Sequence, residues 1–242
     1  TISAYQAASA NQLHDEQELK WASDILSAYF DLIQPGSLEP EIERVFNAAN
    51  GGTPGNNEDE EAPSIPYRFR SKAQSEISIE QFESLCKQRS SVRWFEQKKV
   101  SRSLIEQAIT IAASAPSACN RQPYQFYIAD DQIMSQQLID TPLGTKGFAQ
   151  NVPCTIVVTA DLAHYPTERD RHLVYIDSAL ACMQLMLALE TLGLSSCPVN
   201  WPDIEEREQK MASLLNLPAT VRPIMLIAVG YGDVEGKIPF SQ

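Results

Sequence analysis

Two arginines and a serine alternate in the segment formed by Arg89, Ser90, Ser91, Val92 and Arg93. In an extended chain alternate side chains share a face, so Arg89, Ser91 and Arg93 would project together while Val92 and Trp94 point into the core. Two planar guanidiniums and a hydroxyl match the oxygens of a phosphate dianion. The spacing alone is also compatible with a basic, solvated helix end, which is the more common situation.

A second segment, residues 115–126, is dense in small and amide-bearing residues and lies between a predicted helix and a predicted strand. Pro116 and Pro123 stiffen it, and Ser117 and Asn120 offer short polar side chains that suit close approach to a flat polar ring. An ordinary helix-to-strand connection explains the loop equally well. Cys119 invites a nucleophile interpretation, but no base is identifiable beside it, so a small packing residue is the better interpretation.

The common backbone motifs for binding a phosphate are absent from the sequence. No G-x-G-x-x-G follows a strand, because the glycines at 230 and 232 lack a third glycine and a following helix. No Walker A motif is present in the sequence. Side chains would therefore have to bind the phosphate if a nucleotide binds. The histidines at 14, 164 and 172 show no metal-ligand spacing, so no metal site is expected.

The periodicity of the apolar residues predicts an α+β fold with a central sheet. Helices are predicted over 13–33, 39–49, 79–88, 101–114, 172–192 and 203–215, and strands over 124–129, 154–160 and 224–230. The helix at 172–192 is apolar nearly all round, which indicates burial on most faces, in part by a second subunit.

Composition changes along the chain and suggests three parts. Residues 1–46 are interpreted as an N-terminal helical extension, and residues 78–242 as the main α+β domain. Residues 47–77 are rich in Gly, Pro and Asn and carry an acidic run at 58–61, so they cannot bury a core. We therefore expect a linker or mobile segment there.

The charge and cysteine content limit the partners and the compartment. A net charge of −12 disfavours binding to nucleic acid or to anionic membranes. Asp177 and Glu190 interrupt the longest apolar stretch, so no membrane span is expected. Five cysteines without a C-x-x-C pair indicate reduced thiols, and no leader is visible after Thr1, so a cytoplasmic location is expected.

Together, the two polar segments resemble the nitroreductase family. That family has an Arg-x-Ser-x-Arg/Lys element, then a helix, then a Pro-Ser-x-x-Asn-x-Gln-Pro loop that leads into a strand, and residues 89–93 and 116–123 reproduce both in order. Leu192, Gly193 and Leu194, which lead to Cys197, continue the likeness, which covers residues 80–239. The resemblance implies a nitroreductase-like fold, with a mainly antiparallel central sheet flanked by helices, in an interlocked homodimer with FMN at the subunit interface.

The resemblance also implies roles for individual residues. Arg89, Ser90, Ser91 and Arg93 would hold the phosphate and ribityl chain of FMN, with Arg93 also near the N1/O2 edge of the flavin. Pro116, Ser117 and Asn120 would come from the partner subunit. Pro198, Val199, Asn200 and Trp201 would lie against the ring, with backbone amides near flavin N5. Many members carry Glu-Gly at the position of Asn200 and Trp201, and a basic C-terminal residue that has no counterpart before Gln242.

The activity implied by the resemblance is that of an FMN-dependent oxidoreductase. It would take hydride from NADH or NADPH and pass electrons to an electron-poor small molecule in a ping-pong reaction, without a catalytic acid or base from the protein. A flavin-dependent dehalogenase or another specialised flavin enzyme is the alternative, as is a non-catalytic flavin-binding or scaffold protein. Tyr165, Arg169 and His172 could contact substrate, although a solvated loop is the more common situation for such a segment.

Overall fold

The computed structural model describes residues 16–32, 42, 44, 63–68 and 73–238. The chain divides into two compact units, 1–75 and 76–242. In the first unit, helix α1 spans Glu16–Leu32, and Asp24 accepts hydrogen bonds of 2.8 Å from both Lys20 and the backbone of Ser64. Most of the predicted helix at 39–49 and of the predicted linker lies outside the described residues, so the proposed division at 46/47 and 77/78 stays a prediction.

The second unit alternates helices and strands. The helices are α2 (Ile79–Gln88), α3 (Arg102–Ala112), α4 (Gln132–Ile139), α5 (Leu173–Thr191) and α6 (Glu205–Leu215). The strands are β1 (Tyr124–Ala129), β2 (Cys154–Asp161), β3 (Ser195–Asn200) and β4 (Val221–Gly230). This mixture, built on a central sheet, confirms the α+β prediction.

The four strands described here form one sheet in the order β1-β2-β4-β3, and all neighbouring pairs are antiparallel. Successive residues of β2 face opposite sides of the sheet. Ile156 and Val158 pack with α3 and α5, whereas Val157 packs with the cluster that includes α4 and α6. The antiparallel sheet is therefore covered by helices on both faces, as predicted, with β1 and β3 at its edges.

Two elements of the second unit escaped sequence-based prediction. Helix α4 has only eight residues, and Asp131 caps it by accepting from the Met134 N–H at 3.0 Å. Strand β3 contains Pro198, which lowers any strand prediction. Pro198 is tolerated because β3 is an edge strand, where one row of backbone groups needs no partner within the sheet.

Helix α5 buries one face and leaves another open. Ala181, Leu185 and Leu189 are fully buried in the core. Ile176, Leu180 and Met183, spaced four and three residues apart and so on one helical face, are exposed by 48%, 44% and 41%. The window Glu168–Thr191 is long and apolar enough for a membrane span, but it is half buried within the fold, and the core helix of a soluble protein meets the same criterion.

Candidate functional site

The arginine-containing segment runs along the free edge of β3. Ser91 forms a parallel bridge with Ser196, the Val92 N–H donates to the Ser196 carbonyl at 3.1 Å, and Phe95 pairs with Gly232. Helix α2 ends immediately before the segment, after starting from a capping box between Ser78 and Gln81. A capped helix on one side and the sheet edge on the other therefore fix the backbone that carries Arg89.

The side chains of Arg89, Ser91 and Arg93 all lie close enough to Cys197 of β3 to act on its thiol. Burial raises the pKa of the Cys197 thiol, while Arg93, Ser91 and Arg89 act on the same pKa in the opposite direction. Ser90 differs, because its hydroxyl donates to the Gln88 carbonyl at 3.3 Å. Two guanidiniums and one hydroxyl thus lie near Cys197 in β3, a donor set that suits a phosphate.

The alternation predicted for this segment fails at Trp94. Val92 is buried, but Trp94 is 44% exposed, and Phe95 occupies the core position instead with 3% exposure. Ser91 bridges to Ser196 of β3 in parallel, whereas Phe95 bridges to Gly232 in the antiparallel sense, so the segment does not continue as one regular strand from 91 to 95. The prediction that Trp94 points into the core is therefore wrong.

The loop at residues 116–123 has a backbone that few residue types adopt. Cys119, Asn120 and Gln122 have φ values of 54°, 52° and 45°, in the left-handed region. The Gln122 N–H donates to Ser117 Oγ at 3.0 Å, and its side chain donates to the Ala113 carbonyl at 2.8 Å. These bonds add to the stiffness predicted from the prolines. Cys119 is exposed, so its interpretation as a packing residue is wrong.

The substrate candidates between β2 and α5 lie in different environments. Tyr165 is buried and its hydroxyl bonds to Asp177, so the solvated-loop interpretation is wrong for this residue. Arg169 is exposed and pairs with Asp170. A cleft of about 730 Å³ is lined by Tyr165 and His172, together with Arg222, but not by Arg169. Substrate contact by Tyr165 or Arg169 stays a prediction.

The end of β3 presents backbone rather than an aromatic surface. Pro198 and Asn200 are exposed, whereas Val199 and Trp201 are buried. The Trp201 indole donates to Glu208 Oε1 at 2.8 Å, and Arg222 donates to the same oxygen at 2.9 Å. The indole is thereby held in the core, which leaves the backbone of residues 198–201 and the Asn200 amide to meet a ligand.

The contacts of Arg222 and of Asp177 are absent from the sequence-based prediction. Arg222 bonds to Glu208, Asp203 and Tyr175, which lie on three different parts of the chain. No motif connects residues that distant. Asp177 gave a weak signal, because a carboxylate in an otherwise apolar helix needs a buried partner.

The two polar segments lie at opposite edges of the sheet. Residues 89–95 lie beside β3, whereas the loop at 116–123 leads directly into β1. Three strand spacings separate these edges, about 14 Å. Within one protomer, the sheet therefore keeps the loop and the arginines apart.

Polar groups extend along β3. Cationic and hydroxyl donors lie near Cys197, and the exposed residue Asn200 follows about 10 Å further along the strand. Burial raises the pKa of Glu190 on α5, and the nearby charge of Arg89 acts on that pKa in the opposite direction. Among the described residues, no three His, Cys, Asp or Glu side chains cluster as metal ligands.

Comparison with known proteins gives one family. The sequence profile of the Nitroreductase family matches residues 86–141 and 131–231. A protein of Archaeoglobus fulgidus named for NADH dehydrogenase/NAD(P)H nitroreductase activity is 29% identical over 152 residues, 61% of this chain and 83% of its own. An iodotyrosine deiodinase of Thermotoga neapolitana is 29% identical over 166 residues, 62% of this chain and 87% of its own.

A solved structure shows the same fold. The FMN-dependent nitroreductase of Clostridium difficile superposes with a TM-score of 0.56 at 23% identity, over 65% of this chain and 91% of its own. The family profile spans more than half of the chain and includes both polar segments and all four strands of the sheet. The chain belongs to the nitroreductase family.

Proposed function

We propose that this chain is an FMN-dependent oxidoreductase that works as a homodimer. It takes hydride from NADH or NADPH and reduces an electron-poor small molecule. The observation that carries the proposal is the convergence of Arg89, Ser91 and Arg93 at the edge of β3, in a chain of the nitroreductase family. Bound FMN would supply the hydride-transfer chemistry.

The residues along β3 would bind and orient the cofactor. Arg89 and Ser91 would hold the phosphate by charge-assisted hydrogen bonds. Arg93 would stand nearest the N1/O2 edge of the flavin, where a fixed cation favours the negatively charged reduced form. The backbone after Pro198 would face the ring, so the protein needs no acid or base of its own for this role.

Two features support a homodimer with a shared site. The loop carrying Ser117 and Asn120 lies at the sheet edge opposite the arginines, so a second copy would have to supply it. The exposed row of Ile176, Leu180 and Met183 on α5 is an apolar surface of the kind that subunit interfaces cover. Packing of these faces would place two loops and two arginine segments in one assembly.

The test begins with the protein as purified, whose absorbance reports bound flavin. The double substitution R89A/R93A should strip the FMN, because each guanidinium contributes about 2 kcal/mol to phosphate binding, or about 30-fold in Kd. The matched control is R102A/K210A, which removes two exposed cations on α3 and α6 away from the site. FMN affinity is measured by fluorescence quenching in titration.

Retention of FMN at full occupancy by R89A/R93A would contradict the phosphate assignment. Loss of FMN from the control as well would show that general charge, not the local cluster, governs binding. Catalysis is tested separately by adding NADH or NADPH under argon. Bleaching of the flavin absorbance supports an oxidoreductase, whereas bound flavin that neither nucleotide reduces supports a binding or scaffold protein.

A second candidate reaction is reductive dehalogenation, which the Thermotoga neapolitana relative favours by its name. The two reactions are separated by supplying the loaded protein with a reductant and either a nitroaromatic compound or iodotyrosine. Iodide release at a rate above that of nitro reduction would select dehalogenation. Nitro reduction without iodide release would select the broader oxidoreductase activity.

A further inference from the structure

Helix α5 carries a carboxylate in the interior of the protein. Asp177 is 3% exposed and belongs to a helix whose neighbouring buried positions are Val174, Ser178 and Ala181. A buried carboxylate is strongly destabilising unless hydrogen-bond donors surround it. The groups that donate hydrogen bonds to Asp177 therefore make its burial tolerable.

Asp177 accepts hydrogen bonds from the loop at 116–123 and from the segment that follows β2. Asp177 Oδ2 accepts a hydrogen bond of 3.1 Å from the backbone N–H of Ala118. The same oxygen accepts a hydrogen bond from the hydroxyl of Tyr165, which is 8% exposed. Burial first, and the bond to Asp177 second, raise the pKa of Tyr165, so its hydroxyl keeps the proton that it donates.

Tyr165 has a second contact with the same loop. The guanidinium of Arg121 lies 5.8 Å from the centre of the Tyr165 ring, a cation–π distance. Arg121 also donates to the His164 carbonyl at 2.8 Å. Residues 118 and 121 are thus each attached to the pair formed by Tyr165 and Asp177, on either side of Cys119 and Asn120.

The backbone between these two attachments is in a conformation that non-glycine residues disfavour. Cys119 and Asn120 lie in succession in the left-handed region, and Gln122 follows one residue later. Such a conformation persists where surrounding contacts determine it. The bond between Ser117 and Gln122 is local to the loop, and the Gln122 side chain bonds to Ala113 at the end of α3, whereas Asp177 connects the loop to the buried helix α5.

We propose that Asp177 and Tyr165 are positioning residues that hold the loop of residues 117–122 in the geometry that presents Ser117 and Asn120 to the FMN of the partner subunit. This inference rests on the proposed function, because the loop needs a flavin to face. Ile176, next to Asp177, belongs to the exposed apolar row of α5. The same helix therefore carries the expected dimer contacts and fixes the loop.

The test uses D177N and Y165F in the whole chain. D177N keeps the shape of the side chain but removes its charge, and Y165F removes one donor while leaving the bond between Ala118 and Asp177. The matched control is S135A, because Ser135 and Thr155 form an equally buried polar pair, 2.8 Å apart, with no loop contact. FMN affinity, thermal stability and cleavage by trypsin after Arg121 are measured for each variant.

We expect D177N to weaken FMN binding at least tenfold and Y165F to weaken it less. Fragments beginning at Gln122 should appear faster in both variants than in the parent protein, even without FMN. S135A should lower the unfolding temperature while leaving FMN affinity and the cleavage rate unchanged. Recovery of affinity in a D177E variant, which restores the charge, would separate a positioning role from a loss of packing.

The inference is overturned if D177N and Y165F match the parent protein in FMN affinity and in cleavage after Arg121. It is also overturned if S135A changes both as much as they do. If D177N does not fold, Y165F decides by the same two measurements. Failure of the parent protein to bind FMN would reject the proposed function instead, while the cleavage rate of the FMN-free protein would still report whether Asp177 orders the loop.

Discussion

Glu190 places a negative charge beside a cluster that is expected to bind an anion. Burial raises the pKa of the Glu190 carboxyl, and the charge of Arg89 acts on that pKa in the opposite direction. The carboxylate also adds to an already acidic protein, with a net charge of −12. Its ionised form should therefore oppose both the folded state and the binding of a phosphate at Arg89.

The substitution E190Q should raise the unfolding temperature near neutral pH and tighten FMN binding by less than tenfold. An acid whose folded pKa lies above its unfolded value costs stability above the folded pKa, and that cost disappears as the pH falls below the unfolded value, about 4.3. The difference between variant and parent should therefore be full above the folded pKa of Glu190 and shrink as the pH falls through it towards about 4.3. A difference that is constant with pH, measured by calorimetry, would contradict this assignment.

At the scale of elements, the arginine segment depends on how closely β4 approaches it. A Cβ added to Gly230 would lie 2.7 Å from Phe95 Cδ1 and 2.8 Å from Pro153 Cγ. Phe95 is 3% exposed and belongs to the extended segment that also carries Arg93. The last residue of β4 must therefore be glycine for this segment to stay against the sheet.

The substitution G230A should destabilise the protein by about 2 kcal/mol through overpacking and weaken FMN binding in parallel. The control is G147A, because a Cβ at Gly147 meets no atom within 4 Å. Urea denaturation gives the first quantity and flavin titration the second. Normal stability of G230A would show that Phe95 can move away freely, and weaker binding in G147A would remove the specificity of the comparison.

Several helices were predictable from the sequence. Residues 79–88 form the helix expected there, and the long helix expected at 172–192 spans Leu173–Thr191. Prediction failed where long-range contacts override local pattern. Strand β3 forms despite Pro198 because β4 provides its partner, and Trp94 is exposed where the segment changes its partner from Ser196 to Gly232.

The candidate site was partly predictable for the same reason. The sequence singled out Arg89, Ser91 and Arg93 by their types and close spacing, and all three act on the thiol of Cys197. The burial of Tyr165 could not be predicted, because its partner Asp177 lies on a separate element, 12 residues away. The opposite placement of the two polar segments required the strand order β1-β2-β4-β3.

At the scale of the whole molecule, a single chain carries the arginine segment at one edge of its sheet and the loop at 116–123 at the other. The exposed row on α5 and the exposed Ile111 on α3 give this chain an apolar surface that a second copy would cover. If both statements hold, dimer formation and flavin binding are linked, because FMN that contacts two subunits binds the dimer in preference to the monomer.

The substitution L180E tests that linkage. An unpaired charge buried in an interface costs about 3 kcal/mol or more, which raises the dimer dissociation constant over 100-fold. L180E should therefore be monomeric at low micromolar concentration in sedimentation experiments and should lose FMN, although Arg89 and Arg93 are intact. The control is I133E on α4, where the parent side chain is 69% exposed, and it should remain dimeric and loaded. A monomeric L180E that still binds FMN at the affinity of the parent protein would mean that each chain completes its own site.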